Sequence, residues 1–216
     1  MIKAVAFDLD HVLYDRGSTI ARMGERFLRA FRGNVRPGLT ADEAVAAMRA
    51  SDSAGVYRGG TRGIYRELVA REVFAQPPGY GAYFSFLLEA MPESMVPYPD
   101  TYEILRWCRA EGLGPAILTN GPVDYQSRKL AALDLAAYAE PIVIAVTTGR
   151  EKPAPEPFLQ TAARLGADPS QTLYVGDNPL NDVAGARGAG MIPVWFRSVD
   201  VWLDEVEPAP YSIRRL

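Results

Sequence analysis

Two aspartates near the start of the chain, Asp8 and Asp10, are spaced for metal or acid–base chemistry. They follow a short apolar run at residues 2–7, which predicts a buried strand that ends at the first acid. Two carboxylates this close together suit a hard divalent cation, because such ions prefer oxygen ligands. An exposed acidic turn after a strand would have the same sequence, so the pair alone leaves both interpretations open.

Other polar groups follow other apolar runs farther along the chain. Thr119 and Asn120 could offer a hydroxyl and turn amides to phosphoryl oxygens. Asp177 supplies another acid, and Asp182 lies near a predicted helix start, as an N-cap or as support for a metal ion. Lys152 could offset the charge of a phosphate and of the acids, although a lysine taken alone is more typical of a solvated surface.

Apolar runs that predict strands alternate with helical patterns over most of the chain. The runs lie at residues 2–7, 115–118, 142–146, 172–175 and 192–196, and the helical patterns at 99–111, 124–133, 155–165 and 182–189. This alternation predicts a Rossmann-like α/β fold, a three-layer core whose parallel sheet is covered on both faces. Ligands of such sheets bind beyond the carboxyl ends of the strands, where Asp8, Thr119 and Asp177 fall. Pro193 predicts that the last strand lies at an edge.

Residues 15–97 interrupt the alternation and predict a small all-helical insert with the character of a lid or cap. The expected domains are therefore a core of residues 1–14 and 98–216 and a cap of residues 15–97. Within the insert, Arg58, Arg62 and Arg66 recur at four-residue spacing, which favours a solvated arginine face over a substrate clamp. The segment after about residue 204 matches no element pattern and is expected to lie over the surface.

Composition excludes several classes of function. A net charge of -3 gives no general reason to bind nucleic acid or an anionic membrane. An acid enters before any apolar signal core could form, and no apolar run approaches the roughly 20 residues of a membrane span, so we expect neither export nor insertion. The single cysteine, Cys108, excludes an internal disulfide and fits a cytoplasmic location. His11 is the one histidine, which excludes a His-rich zinc site.

Four segments, taken in order, resemble the four motifs of the haloacid dehalogenase (HAD) superfamily. They are Asp8-Leu9-Asp10-His11-Val12-Leu13, Thr119-Asn120-Gly121, Lys152-Pro153 and Gly176-Asp177-Asn178-Pro179-Leu180-Asn181-Asp182. The insert at residues 15–97 also stands where that family carries its helical cap, between the first and second motifs. Only the first motif is moderately specific alone, but four in order at strand ends are hard to explain by chance.

The resemblance implies a catalytic and a metal role for the acids. Asp8 would attack phosphorus and become an aspartyl-phosphate, while Asp10 would protonate the leaving oxygen and then activate water. Mg²⁺ would be held by the carboxylates of Asp8 and Asp177 and by the backbone carbonyl of Asp10, with Asp182 in support.

The resemblance also implies which residues bind the substrate, a small phosphorylated molecule. Thr119, Asn120 and Lys152 would hold its phosphoryl oxygens. His11 is expected beside the phosphate, as a substrate contact or structural residue rather than a catalytic one. Neither nucleic acid nor membrane is an expected partner, and no pattern indicates an oligomeric state.

Among the chemistries of this superfamily, hydrolysis of a small phosphate monoester fits best. Dehalogenases lack the second acid of the first motif, which is Asp10 here, and phosphonatases need a cap lysine that residues 15–97 do not contain. A sugar phosphomutase on the same core, or a non-catalytic phosphate-binding protein, remains an alternative. A receiver domain of a signalling system does not fit, because its phosphorylated aspartate follows the acidic pair instead of belonging to it.

Overall fold

The computed structural model describes residues 1–55, 59–198 and 202–216, which fall into two units. The core unit comprises Met1–Asp15 and Pro97–Leu216, and the helical unit comprises Arg16–Val96. That the helical unit acts as a cap stays a prediction. No helix in these described ranges combines the length and the apolar character needed to cross a bilayer.

A parallel sheet forms the centre of the core unit. Its strands in the described ranges are β1 (Ala4–Phe7), β2 (Pro115–Thr119), β3 (Ile142–Ile144), β4 (Thr172–Gly176), β5 (Ile192–Phe196) and β6 (Tyr211–Ile213). The order across the sheet is β3-β2-β1-β4-β5-β6. Every residue of β1 and β2 is buried, as expected of central strands covered on both faces. The predicted Rossmann-like α/β fold is confirmed.

Helices connect the strands and form the helical unit. The helical unit contains α1 (Arg16–Ala30), α2 (Ala41–Gly55), α3 (Gly60–Ala70) and α4 (Tyr80–Ser94). The core unit contains α5 (Thr101–Ala110), α6 (Val123–Ala132), α7 (Pro155–Leu165) and α8 (Gly185–Gly188). Phe158 of α7 packs edge-on against Tyr174 of β4, with ring centroids 4.9 Å apart, and this contact fixes α7 on the sheet.

The prediction that β5 lies at the sheet edge is wrong, because β6 pairs with its outer side. Arg197 donates its backbone N–H to the carbonyl of Ile213 in β6. The backbone N–H groups of a strand point alternately to its two sides, so the nitrogen of Pro193, four residues earlier, also faces β6. The β5–β6 pairing begins only at Val194, one residue later. The missing N–H of Pro193 therefore costs no ladder bond. The C-terminal segment, expected to lie over the surface, supplies the added strand.

The helical unit packs around an aromatic cluster formed by Phe27, Phe31, Phe74 and Phe86, whose neighbouring ring centroids are 5.0 to 5.7 Å apart. A buried ion pair joins α1 to α2, with Arg16 Nη2 2.6 Å from Asp52 Oδ1. Of the three regularly spaced arginines, Arg62 and Arg66 are exposed, and Arg62 lies over the ring of Tyr80. Arg58 lies outside the described residues.

Candidate active site

The carboxyl ends of β1, β2 and β4 meet at one edge of the sheet because these strands are parallel neighbours. Asp8 directly follows β1, Thr119 is the last residue of β2, and Asp177 directly follows β4. The backbone N–H of Asp8 donates to the carbonyl of Val175 at 2.9 Å, which extends the ladder by one residue and fixes the position of Asp8. The sheet thus brings together residues far apart in the chain.

Three acids form one cluster at this edge. Asp8, Asp177 and Asp182 each present a carboxylate oxygen, and the three oxygens lie within 4.8 Å of one another. Asp8 and Asp182 are buried, whereas Asp177 is partly exposed. Carboxylate oxygens at such separations are the donors that a hard divalent cation prefers. The residues present therefore fit the predicted metal ion.

Asp182 reaches the cluster from a one-turn π-helical segment, Pro179–Ala184. The interpretation of Asp182 as an N-cap is wrong, because Asn178 occupies that position and its Oδ1 accepts the backbone N–H groups of Leu180 and Asn181. Asp182 Oδ2 accepts instead from the N–H of Asn178 at 2.9 Å. A Cβ atom at Gly176 would lie only 2.6 Å from Asp182 Oδ2, so this approach requires glycine.

Lys152 is buried and joins two of the clustered acids, so a solvated surface position is wrong for this residue. Its Nζ lies 2.9 Å from Asp8 Oδ1 and 2.6 Å from Asp182 Oδ1. The same ammonium donates to the hydroxyl of Tyr174 at 2.8 Å. Asn120 holds the backbone of Lys152 through both ends of its side-chain amide, each at 2.9 Å. This contact gives Asn120 a positioning function, and its predicted contact with substrate stays a prediction.

Two acids of the cluster, Asp8 and Asp177, hold protons more tightly than ordinary aspartates do. Burial raises the pKa of Asp8 to about 6; the charge of Lys152 opposes this, and that of Asp182 adds to it. Burial also raises the pKa of Asp177 to about 7, with His11 opposing the rise. For Lys152, burial alone would lower the pKa, but the charges of Asp182 and Asp8 outweigh it and raise the pKa. Burial is thus the main cause of the raised pKa of both acids.

The carboxylate of Asp10 lies outside the three-acid cluster and faces α6. Lys129 Nζ lies 2.7 Å from its Oδ1 and 2.6 Å from its Oδ2. Gln126 Nε2 donates to its Oδ2 at 3.0 Å, and the hydroxyl of Tyr14 donates to its Oδ1. No sequence motif distinguishes Lys129 or Gln126. The available signal was their three-residue spacing on α6, which begins four residues after Thr119.

The remaining predicted site residues lie at the same edge. Thr119 is buried, and its Oγ1 accepts from Gln126 Nε2 at 2.6 Å. His11 adopts a left-handed backbone conformation, with φ 62°, directly after the aspartate pair. Its carbonyl accepts from the hydroxyl of Tyr98 at 3.3 Å, and its charge lowers the pKa of Asp177, so His11 lies close to the cluster.

This geometry defines a class: Rossmann-like α/β proteins with a centre of carboxylates and lysine at the carboxyl edge of a parallel sheet. A family model described as haloacid dehalogenase-like hydrolase matches residues 2–190, and the chain belongs to that family. The resemblance seen in the four sequence motifs is confirmed.

The chain is also similar to individual phosphatases. It is 32% identical over 200 residues to a glyceraldehyde 3-phosphate phosphatase from Methanopyrus kandleri, covering 91% of this chain and 84% of that protein. It is 37% identical over 136 residues to a phosphoserine phosphatase from Thermus thermophilus, covering 62% of this chain and 55% of that protein. A crystal structure of a HAD phosphatase from Thermococcus onnurineus matches with a TM-score of 0.67 at 27% identity, covering 99% of this chain and 94% of that one.

Proposed function

We propose that this protein hydrolyses a small phosphate monoester, with Mg²⁺ as cofactor, through an aspartyl-phosphate formed on Asp8. One observation carries the proposal: Asp8 lies within one cluster with Asp177 and Asp182, and Lys152 contacts two of these acids. Membership of a hydrolase family and similarity to phosphatases support it.

The cation would be held by the carboxylates of Asp8 and Asp177 and by the backbone carbonyl of Asp10, with Asp182 in support. When bound, it supplies positive charge that offsets the repulsion between an anionic nucleophile and an anionic phosphate. Counted over the described residues and fully ionised, the site has four carboxylates and two ammonium groups, which are those of Asp8, Asp10, Asp177, Asp182, Lys129 and Lys152. Fully ionised, the site thus keeps two negative charges that a divalent cation would offset, and Asp10 has to take up a proton before it can act as the acid of the first step.

In the first step, a carboxylate oxygen of Asp8 forms a bond to phosphorus while the bond from phosphorus to the ester oxygen breaks. Asp10 gives its proton to the departing oxygen, so the leaving group departs as an alcohol. Lys152 and the hydroxyl of Thr119 hold the phosphoryl oxygens during the transfer. The product of this step is the aspartyl-phosphate on Asp8.

In the second step, water attacks the phosphorus of the aspartyl-phosphate. Asp10, now a carboxylate, takes the proton of the attacking water, and the bond between phosphorus and Asp8 breaks. Inorganic phosphate leaves, and both aspartates return to their starting protonation states. One residue therefore serves as acid and then as base, which requires that its carboxylate be held in place through both steps.

The proposed substrate class follows from the similar enzymes. We propose a phosphorylated metabolite of the size of glyceraldehyde 3-phosphate or phosphoserine, the molecules named for two of the relatives.

The test is release of inorganic phosphate from p-nitrophenyl phosphate and from a panel of small phosphate esters, with and without Mg²⁺. We expect turnover that depends on Mg²⁺ and disappears in Asp8→Asn. Asp204→Asn, which changes an exposed acid of the core unit, serves as the matched control and should leave turnover unchanged. Absence of metal-dependent turnover across the panel would contradict the proposal and favour a phosphate-binding protein.

A further inference from the structure

The carboxylate of Asp10 is saturated by donors from the chain itself. Among the contacts of the described residues, each of its oxygens receives at least two: Oδ1 accepts from Tyr14 and Lys129, and Oδ2 accepts from Gln126 and Lys129. A carboxylate offers about four lone-pair sites in total. While Asp10 is ionised, these contacts occupy the positions through which the carboxylate could bind a cation. When Asp10 takes up the proton that it gives to the leaving oxygen, one of these donors has to move away.

Lys129 is the central donor of this arrangement. Its side chain is 1% exposed, whereas the side chain of Asp10 is 23% exposed. Its ammonium also lies 4.4 Å from the ring centroid of Tyr125 and 5.8 Å from that of Tyr14. Burying an ammonium is unfavourable unless it is paired, so this lysine is held in place by Asp10 and the two rings together.

Gln126 couples the same helix to the second strand end. Gln126 and Lys129 are three residues apart, hence on one face of α6. Besides Asp10, the Gln126 amide contacts Thr119 Oγ1 and the carbonyl of Asn120, both at 2.6 Å. One rigid helix thus fixes the position of Asp10 relative to the residues proposed to bind phosphate.

We infer that Lys129 is a positioning residue that keeps the carboxylate of Asp10 from becoming a fourth carboxylate ligand of the metal ion. Asp10 lies close enough to the cluster for its charge to act on Asp8, and it follows Asp8 by two residues in the chain. Without the ammonium, its carboxylate is free to turn toward a cation. An acid bound to the metal cannot protonate the leaving oxygen, so catalysis would fail while metal binding strengthened.

The inference rests on the proposed function and is tested with Lys129→Met, which keeps the length of the side chain and removes the charge. We expect kcat for p-nitrophenyl phosphate to fall about 10–100-fold, the usual effect of losing a residue that orients a group at a metal site. KM should change much less, because the contacts given above join Lys129 to Asp10 and to two tyrosine rings. Lys129→Arg, which retains the charge and the donors, should recover part of kcat.

Calorimetric titration with Mg²⁺ gives a second reading that does not depend on turnover. Lys129→Met should bind Mg²⁺ several-fold more tightly than the unchanged protein, and Lys129→Arg should not. This gain in Mg²⁺ affinity should disappear when Lys129→Met is combined with Asp10→Asn, because it acts through Asp10. For the same reason, Lys129→Met should cause no additional loss of kcat in the Asp10→Asn background. Additive losses of kcat in the double variant, or unchanged Mg²⁺ affinity in Lys129→Met, would overturn the inference.

Two further results are distinguished from a failure of the inference: an inactive unchanged protein and a variant that does not fold. If the unchanged protein releases no phosphate, the proposed function fails, and the Mg²⁺ titrations still decide whether Lys129 restrains Asp10. If Lys129→Met does not fold, as judged by thermal unfolding, Lys129→Gln replaces it, since a glutamine retains a donor without the charge. The same gain in Mg²⁺ affinity is expected of that variant, and its absence would count against the inference.

Discussion

Binding of Mg²⁺ to the three clustered acids is predicted to weaken steeply as the pH falls. In the metal-free protein, burial raises the pKa of Asp8 to about 6 and that of Asp177 to about 7. At pH 5.5, roughly a quarter of the Asp8 side chains and roughly 3% of the Asp177 side chains are ionised, against most of both at pH 8. The product of the two ionised fractions falls about 10²-fold, and the apparent Mg²⁺ affinity should fall by the same order.

The same protons affect the stability of the metal-free protein. Because both acids have a pKa in the folded chain above the ordinary 3.8, the folded state binds more protons than the unfolded state between about pH 4 and about pH 7. The contribution of these acids to the free energy of unfolding therefore decreases as the pH rises through that range. Saturating Mg²⁺ should offset this loss and raise the midpoint of thermal unfolding more at pH 8 than at pH 5.5.

Calorimetric titration of chelator-treated protein with Mg²⁺ at pH 5.5, 6.5 and 8 measures the affinity directly. The charge of His11 lowers the pKa of Asp177, so His11→Gln is the control. The steep dependence should persist in this variant, because the carboxylates carry it. Equal affinities at pH 5.5 and pH 8 would refute the reasoning.

Three further predictions concern particular contacts. Gly176→Ala should lower the free energy of unfolding in urea by about 1–3 kcal/mol, because the added Cβ meets the side chain of Asp182, whereas Gly188→Ala, with open space around it, should be neutral or slightly stabilising. Asp10→Asn should slow turnover about 10²–10⁴-fold and leave Mg²⁺ binding mostly intact, as measured by steady-state kinetics and calorimetry. Arg16→Met should cost about 3–5 kcal/mol in urea unfolding, because it removes the arginine that pairs with the buried carboxylate of Asp52.

Each of these predictions has an outcome that contradicts it. Equal stabilities of Gly176→Ala and Gly188→Ala would mean that the close approach of Asp182 does not constrain the turn. Full turnover in Asp10→Asn would remove this residue from the acid–base steps. If Arg16→Met lost less than about 1 kcal/mol, or if adding Asp52→Leu recovered nothing, the buried pair would not matter to the helical unit.

The helix at residues 155–165 and the ends of the buried strands could be predicted from the sequence. The helix predicted at residues 155–165 is observed with the same bounds, because Pro155 fits its first turn and Gly166 closes it with φ 66°. Asp8, Thr119 and Asp177 could be placed at one edge because apolar runs followed by polar residues indicate where buried parallel strands end. These features depend on local sequence, which is why they could be predicted.

The errors arose where the partner of a residue is distant in the chain. Pro193 has no N–H, but only the pairing of β5 with β6 shows that no donor was needed at its position. The segment that forms β6 has no apolar run, because its edge strand is mostly exposed. A sequence pattern cannot supply such facts.

The contact of Lys129 with Asp10 could not be predicted from the sequence, for a related reason. It stands between Arg128, which is exposed, and Leu130, which is buried, so its neighbours in the sequence do not decide which face of α6 it is on. Only the packing of α6 against the end of β2 decides that this lysine faces Asp10. A residue whose function depends on helix rotation needs coordinates to be recognised.

The C-terminal segment has a further consequence for the behaviour of this protein in solution. Arg187 donates to the carbonyls of Glu207 and Pro208, at 3.0 and 2.7 Å, and Trp202 packs against Trp195 with ring centroids 4.6 Å apart. These contacts hold β6 over the outer backbone groups of β5, which would otherwise offer a template for pairing with another molecule. Protein in which this segment is shortened or detached is therefore expected to self-associate through the uncovered edge of β5. Charged tags are better placed elsewhere.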